Sequence, residues 1–487
     1  MKGFFLKLLK NKVFLYMISR YATYALQFVT TLLIAIKLGP TDFGVWSFVL
    51  LVIGLFNIID FGISNSINVI LVHDKENEEL CATHIKSVII INTIISLFVV
   101  VLFLIATYCD IPLLEKYHAN VYYIYILVIV IFFYFNKSFA SIYRVKNRLL
   151  EVALYQSIVP ILLFLSVVLV SEDVLINYLV GSYLVGYLIV LIIFLVAGQV
   201  KINGRVSGPD MRHVSGKGFW LFMYNSAFYL ILYLTSVFVS AYYTIEEFGK
   251  FNFSVSLSNA IVLLIDAFSF IIFPKMIDRL SGKDYSAIKK VIDGIRMNYT
   301  TIVSLLIYAA LPVFYFFCLL MNKYEDTGLS LSLAALSLVP YTFAFGINTF
   351  LIAQSQEKRL SLVSTISLVF NICLSIILIK VLHVSYALTF LSLLVTYSLY
   401  TILCAILQFK CMGETKSFLQ IVIYAFPLRQ LIPFVLAPIV VYIAYSMQMP
   451  ILLLAPILIY SLLNIYQYKE VICSIKAIVN TPTIVDL

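Results

Sequence analysis

The sequence predicts an all-α polytopic membrane protein with about fourteen transmembrane helices, arranged as two six-helix pseudo-repeated lobes followed by two C-terminal helices. Of the 487 residues, 62% are apolar or aromatic and 12% are charged, whereas roughly 25% of an average soluble domain is charged. Apolar runs long enough to cross a bilayer, about 20 residues each, recur along the whole chain. These observations exclude a soluble globular enzyme, a disordered chain and a disulfide-rich secreted module.

The apolar runs define fourteen predicted spans. In chain order they cover residues 13–36, 44–71, 86–108, 121–143, 150–170, 176–198, 219–243, 249–274, 297–320, 329–352, 361–380, 385–408, 430–447 and 451–468. With both termini in the cytoplasm, all but five of the 33 Lys and Arg residues fall on the inner face; the five are Lys37, Lys116, Lys250, Lys323 and Lys380. Because cytoplasmic loops are rich in Lys and Arg, this asymmetry predicts cytoplasmic N- and C-termini.

A short motif recurs after spans 1 and 7. Asp42-Phe43-Gly44 follows span 1 and Glu247-Phe248-Gly249 follows span 7, and each glycine is predicted to relieve crowding at a tight turn. Since the repeat unit holds six spans, both copies have the same orientation in the membrane. The alternation of Lys with Phe and Leu predicts a cytoplasmic amphipathic segment at 1–12. The repeat and the spans predict an N-terminal six-helix lobe at 13–200, a cytoplasmic linker at 201–218, a C-terminal six-helix lobe at 219–408, and helices 13 and 14 with a cytoplasmic tail at 409–487.

Polar side chains at helical spacing follow one face of spans 1, 2, 7 and 8. The four sets are Arg20, Thr23, Gln27, Thr30 and Thr31; Asn57, Asp60, Ser64 and Asn68; Asn225, Tyr229, Tyr233, Ser236 and Ser240; and Asn252, Ser256, Asn259 and Asp266. Steps of three and four residues place each set on one helix face. Such stripes either line a hydrophilic cavity or join helices through hydrogen bonds, as Ser, Thr and Asn often do in membranes.

Charged side chains inside the spans are the strongest candidates for function, because a charge at the bilayer centre costs at least roughly 2.5–3.5 kcal/mol. Arg20 and Asp60 lie at comparable depths; they either pair with each other or Arg20 contacts an anionic headgroup. Asp266 has no basic partner in the repeat, since Asn225 stands at the position equivalent to Arg20. It is either protonated or binds a coupling cation. Lys137, near the inner end of span 4, either lines the same cavity or extends to the interface.

Several segments resemble the polysaccharide exporters of the multidrug/oligosaccharidyl-lipid/polysaccharide (MOP) superfamily. Residues 38–44, LGPTDFG, are similar to the LG-P-x-[DE]-[FY]-G stretch that follows the first helix of these exporters. The loop at 354–359, Asn371 in the next span, and the pair Tyr386 and Ala387 resemble their second half. Within the superfamily, the chain is most similar to the Wzx-type flippases of O-antigen and capsule repeat units.

This resemblance implies a V-shaped cavity between two lobes, lined by spans 1, 2, 7 and 8. In it, a flippase would move an undecaprenyl-diphosphate-linked oligosaccharide from the inner to the outer leaflet by alternating access, with Arg20 at the diphosphate. The expected substrate-binding residues are Arg20, Gln27, Asn57, Asp60, Asn225 and Asn259. The expected ion-coupling residues for H⁺ or Na⁺ are Asp60 and Asp266, and Lys137 is a further candidate cavity cation.

Three alternatives stay open. Lipid II flippases also have fourteen helices and a Ser-Arg pair in the first, matched here by Ser19 and Arg20, but Leu26 stands where they carry a further cavity arginine. MATE-like drug/cation antiporters usually have twelve helices and ion-binding acids, a role that Asp60 and Asp266 fit. A membrane polysaccharide polymerase belongs to a different class, which the short outer loops disfavour.

The expected location is the bacterial cytoplasmic (inner) membrane. The expected partners are the lipid-linked glycan, membrane lipids and other polysaccharide-assembly membrane proteins; nucleic acid is not one, because the net charge of +9 is spread over short loops. The seven cysteines and five histidines show no ligand spacing, so we expect no metal site. Flipping makes and breaks no covalent bond, so we expect no enzymatic activity, and no cofactor other than a coupling H⁺ or Na⁺. The sequence does not specify the sugars, the energy source or the oligomeric state.

Overall fold

The computed structural model describes residues 12–74, 77–109, 111–200, 206–217, 219–280, 282 and 284–471, and for residues 12–15, 17, 69, 72, 73, 213, 217 and 262–279 it describes the backbone only. All regular secondary structure in the described residues is helical, which confirms the predicted all-α class. The predicted amphipathic segment at 1–12 lies outside the described residues except for its last residue. The chain divides into two compact units, Met1–Ser226 with Thr244–Gly249, and Ala227–Tyr243 with Lys250–Leu487. The predicted lobe boundaries stay a prediction.

The first unit contains eight complete helices in its described residues. They are α1 (Lys12–Asn57), α2 (Ile63–His73), α3 (Glu78–Tyr108), α4 (Pro112–Lys116), α5 (Tyr123–Val145), α6 (Leu149–Leu169), α7 (Leu175–Val196) and α8 (Gly208–Lys217), with short 3₁₀ turns at Ile58–Asp60, Ala119–Tyr122 and Glu172–Val174. Helix α6 packs along both α1 and α7, and α5 packs against α7. Helix α8, within the predicted linker, packs on α2 and α3.

The second unit takes up most of the remaining helices. They are α9 (Phe219–Tyr242), α10 (Ile245–Leu280), α11 (Tyr285–Leu320), α12 (Gly328–Phe343), α13 (Phe345–Ala353), α14 (Glu357–Ile376), α15 (Phe390–Met412), α16 (Phe418–Ala425), α17 (Leu428–Ser446) and α18 (Ala455–Leu463). Helices α9 and α10 begin in the first unit and continue in the second. Helix α12 is almost fully buried and packs against α11, α15 and α17, so it forms the centre of this unit.

Eleven helical segments of the described chain are long and apolar enough to cross a membrane, or up to twelve if the bent pair Pro450–Leu463 and Ile465–Val471 is one span. The protein is a multi-pass membrane protein. One segment, Ile18–Asp60, has 43 residues, about twice the 20 that one crossing needs. It contains a break at Gly39 (φ 71°), directly before Pro40. The predicted count of fourteen spans is not confirmed.

The two glycines of the repeated motif lie against each other's segment. Gly44 follows the break in α1, and Gly249 lies near the start of α10, in the part that belongs to the first unit. A Cβ on Gly249 would overlap the carbonyl oxygen of Pro40 and lie 3.0 Å from the Gly44 nitrogen, while a Cβ on Gly44 would overlap the carbonyl oxygen of Ile245. Backbones approach this closely only where side chains are absent. The predicted crowding at both glycines is therefore present, and its cause is this reciprocal contact.

Lys37 caps the C-terminal end of α6. Lys37 of α1 donates two hydrogen bonds from Nζ, each 2.7 Å long, to the carbonyl oxygens of Val167 and Val170 at the end of α6. The last carbonyls of a helix have no partner within the helix, and they carry its negative dipole end. Lys37 therefore satisfies two acceptors that would otherwise be exposed to hydrocarbon or to the interface.

Replacing Lys37 with methionine is expected to lower the stability of the protein by roughly 1–2 kcal/mol, because two charge-assisted hydrogen bonds and a favourable dipole interaction are lost. Thermal unfolding of the purified protein measures the effect. Lys380→Met is the matched control, since exposed Lys380 lies 4.9 Å from the ring centroid of Tyr242, a contact with a smaller expected contribution. Equal effects of the two substitutions would contradict the capping role.

Candidate functional site

Asp60 lies at a break between two helices of the first unit. After the 3₁₀ turn Ile58–Asp60, Phe61 (φ 48°) and Gly62 (φ 73°) adopt left-handed conformations before α2 begins. Asp60 Oδ1 accepts a hydrogen bond of 2.9 Å from the Gly62 amide, and Oδ2 accepts one of 2.9 Å from the Ser64 hydroxyl. The carboxylate thus fixes the backbone at the start of α2, where helix amides lack internal partners.

The same carboxylate pairs with Lys137 of α5. The distance from Lys137 Nζ to Asp60 Oδ2 is 2.6 Å; the Asp60 side chain is 6% exposed and the Lys137 side chain 34%. The structure therefore brings two of the predicted residues together, and Lys137 rather than Arg20 is the partner of Asp60. With both oxygens of Asp60 engaged, a bound cation would compete directly with the lysine ammonium.

Arg20 is surrounded by tyrosines instead. Its Nε donates to Tyr24 Oη at 2.7 Å, and Nη1 donates to Tyr16 Oη at 3.4 Å. Tyr16 in turn donates to Gln156 Oε1 on α6 at 3.2 Å. These partners are hydroxyl groups, and their hydrogen bonds orient the guanidinium. An oriented, half-buried guanidinium is suited to bind an anion.

The site includes an arginine that the sequence analysis missed. Arg144, in the last turn of α5, lies close enough to Arg20 for their like charges to interact. Within the part of the chain that the structure describes, no carboxylate lies within ion-pair distance of Arg144. Arg144 and Lys137 are seven residues apart, hence on one face of α5 and about 10 Å apart along its axis. Predicted span 4 ends at residue 143, which places Arg144 in a loop. The seven-residue spacing between Lys137 and Arg144 could have predicted that both lie on one helix face.

The remaining predicted residues are not joined to this group by hydrogen bonds that the structure describes. Asn57, next to the break, has a buried Oδ1 without a hydrogen-bond partner among the described residues. Gln27, Asn225 and Asn259 are half-buried. Asn225 belongs to the first unit and Asn259 to the second. The side chain of Asp266 lies outside the described residues.

Thr23 of the first stripe and other polar residues of the spans form hydrogen bonds between helices. Thr23 and Ser157 share a hydrogen bond of 2.7 Å between α1 and α6. In the second unit, buried Asn371 donates to the Ile231 carbonyl at 3.0 Å and to the Thr235 hydroxyl at 2.9 Å. These contacts match the interhelical role that is common for Thr and Asn in membranes. No group of three or more His, Cys, Asp or Glu side chains in the described ranges is placed to hold a metal ion.

A family model described as "Polysaccharide biosynthesis protein" matches residues 9–279, more than half of the chain. The chain belongs to this family. The match confirms the resemblance to polysaccharide exporters and includes every residue of the Asp60, Lys137, Arg20 and Arg144 group. A comparison with curated proteins gave no match.

The fold of this polysaccharide biosynthesis protein is similar to that of solved membrane transporters. The lipid II flippase MurJ in an inward closed conformation gives a TM-score of 0.66 at 16% identity, covering 94% of this chain and 99% of that chain. A multidrug resistance MATE family transporter of the MOP superfamily, inward-facing, gives 0.62 at 13% identity, covering 82% and 98%. The MATE transporter VcmN of Vibrio cholerae gives 0.58 at 14% identity, covering 85% and 98%. At these identities the comparison establishes the shared fold.

Proposed function

We propose that this protein is a flippase that moves an undecaprenyl-diphosphate-linked oligosaccharide repeat unit from the inner to the outer leaflet of the bacterial cytoplasmic membrane by alternating access. Family membership and a transporter fold support this class of function. The observation that carries the proposal is a group of three cations in the first unit. Arg20 is oriented by the Tyr24 and Tyr16 hydroxyls, Arg144 lies near enough to Arg20 for their like charges to interact, and Lys137 lies on the same face of α5 as Arg144.

A diphosphate suits this group of cations because it carries several negative charges. Two guanidinium groups held near each other repel one another. An anion placed between them attracts both groups and offsets that repulsion. Arginine also binds phosphate oxygens through paired N–H donors, which gives direction as well as charge. Arg20 and Arg144 are therefore the proposed ligands of the diphosphate. Gln27, Asn57, Asn225 and Asn259 carry amide groups that suit sugar hydroxyls, while the polyprenyl chain stays in lipid.

Lys137 and Asp60 form the proposed coupling pair. An anion that reaches Lys137 competes with Asp60 for the ammonium, and H⁺ or Na⁺ on Asp60 releases the lysine for that anion. Ion binding and substrate binding would then be coupled because Lys137 pairs either with Asp60 or with the substrate anion. Asp266 remains the second proposed coupling acid. In this proposal no covalent bond is made or broken, both termini lie in the cytoplasm, and lipids and other polysaccharide-assembly proteins are the partners.

The test is a liposome assay with the purified protein and a polyprenyl-diphosphate-linked repeat unit, following the exposure of glycan to an external sugar-modifying enzyme. Arg20→Gln and Arg144→Gln are each expected to slow exposure at least about tenfold, since a lost charge-assisted hydrogen bond changes affinity by about that factor. Arg148→Gln is the matched control, because Arg148 is already paired with Glu151 at 2.6 Å and is expected to leave the rate unchanged.

Three results would contradict the proposal. If both arginine variants transport at the wild-type rate, the diphosphate does not bind at this group. If no exposure occurs with or without a pH or sodium gradient, but the protein exchanges small cationic solutes, it is a MATE-like antiporter. If purified protein lengthens the glycan chain, it is a polymerase.

A further inference from the structure

A groove on the surface of the first unit lies between α5, α6 and α7. Its volume is about 620 Å³, and its walls are Val121, Tyr122, Tyr125, Leu162, Asn177, Tyr178, Val180, Gly181, Ser182 and Val185. Helices α5, α6 and α7 are all candidate membrane spans. The groove is separate from the Arg20 and Arg144 group, and none of the residues predicted for transport lines it.

The lining of the groove is mostly apolar. It includes Leu162, Val180 and Val185, and the hydroxyl of Ser182 shares a 2.7 Å hydrogen bond with the Ser166 hydroxyl. A Cβ on Gly181 would have no neighbour within 4 Å, so this glycine leaves the groove open. Because the Ser182 hydroxyl is hydrogen bonded within the protein, the groove beside Gly181 presents mainly apolar surface, which suits a hydrocarbon chain.

The length of the groove matches one leaflet. Along α7 it extends from Asn177 to Val185, eight residues or about 12 Å at 1.5 Å per residue. Half of a hydrocarbon core is about 15 Å thick. At one end, Tyr122 donates a 2.7 Å hydrogen bond to Asn177 Oδ1, and tyrosines such as these are common at the membrane–water interface. The groove therefore has a polar rim at the interface and a mostly apolar lining that continues inward.

The rim is acidic. Glu172 and Asp173 form an exposed 3₁₀ turn one helical turn before Asn177, and exposed Asp42 interacts electrostatically with Tyr122. Lys37 of α1 is bonded to two carbonyl oxygens at the end of α6, next to this turn. A headgroup with an ammonium suits this rim, whereas an anionic headgroup is repelled.

We propose that this groove binds one molecule of phosphatidylethanolamine, with an acyl chain along Gly181 and its ammonium at Glu172, Asp173 and Asp42. The occupant is a membrane lipid and not the tail of the transported glycolipid. A polyprenyl diphosphate would place two or more negative charges beside three carboxylates, which favours its exclusion.

The test counts lipids retained by purified protein in native mass spectrometry, after reconstitution in equal amounts of phosphatidylethanolamine and phosphatidylglycerol. Wild-type protein is expected to retain one phosphatidylethanolamine that Gly181→Phe loses, because the phenyl ring occupies the part of the groove in which the proposed acyl chain lies. Ile192→Phe is the matched control: Ile192 is an exposed apolar residue of the same helix outside the groove, and this variant is expected to keep the lipid.

A second variant tests the headgroup and does not depend on the first. The exposed pair Glu172→Gln/Asp173→Asn is expected to lower the preference for phosphatidylethanolamine over phosphatidylglycerol roughly tenfold, as for the loss of a charge-assisted hydrogen bond. The proposal is overturned if Gly181→Phe retains as much phosphatidylethanolamine as wild type, if the two lipids are retained equally by wild type, or if added polyprenyl diphosphate displaces the retained lipid.

Discussion

Lys137→Met is expected to destabilise the protein by about 2–3 kcal/mol, at or below the lower end of the range for breaking a buried ion pair, because the Lys137 side chain is one-third exposed. The substitution leaves the Asp60 carboxylate buried, with the Gly62 amide and the Ser64 hydroxyl as its remaining described partners. A buried charge without a counter-charge is costly. Thermal and chemical unfolding of the purified protein measure the change.

The unequal exposure of Asp60 and Lys137 provides the control for this prediction. Asp60→Asn is expected to cost less than Lys137→Met, since the freed ammonium lies in the more exposed position and can be solvated. The double variant Asp60→Asn/Lys137→Met is expected to recover most of the stability, because neither charge is left alone. A double variant whose loss equals the sum of the single losses would show that the two side chains do not interact.

Gly249→Ala is expected to be among the most damaging single changes in the protein, with a loss of about 3 kcal/mol. The added Cβ would overlap the carbonyl oxygen of Pro40, and a backbone atom cannot turn aside as a side chain can. Overpacking by one methyl group typically costs about 1–3 kcal/mol, and more where the surroundings cannot shift. The unfolding temperature and the yield of monodisperse protein are the measurements.

Gly294→Ala is the matched control for this prediction. Gly294 also lies inside a long helix, α11, but a Cβ there has no neighbour within 4 Å. Alanine is the better helix former, so this variant is expected to gain roughly 0.5–1 kcal/mol. The same substitution is thus expected to have opposite signs at two helical glycines. If Gly249→Ala is also neutral or stabilising, the close contact with Pro40 does not constrain the fold.

The membrane class, the all-α fold and the crowded glycines could be predicted from the sequence, because composition, apolar run length and the repeated motif determine them locally. The partner of Asp60 could not. Residue counting gives the depths of Arg20 and Asp60 along their helices, but it does not give the direction in which each side chain points. The Asp60 side chain points toward Lys137 on α5. For the same reason, each repeat glycine was predicted to sit in its own turn, whereas each packs against the other copy of the motif.

The contact between the two glycines also has a consequence for biosynthesis. The turn at Thr244–Gly249 belongs to the first compact unit, although part of the second unit, Ala227–Tyr243, precedes it in the chain. A ribosome that has just finished the segment at 201–218 has therefore not yet made every residue on which the first unit depends. The contacts of Pro40 and Gly44 with Ile245 and Gly249 can form only after these later residues have been synthesised. The first unit is therefore completed only after part of the second unit has been made. A chain that ended at residue 218 would leave the backbone of Pro40 and Gly44 without its contact with Thr244–Gly249.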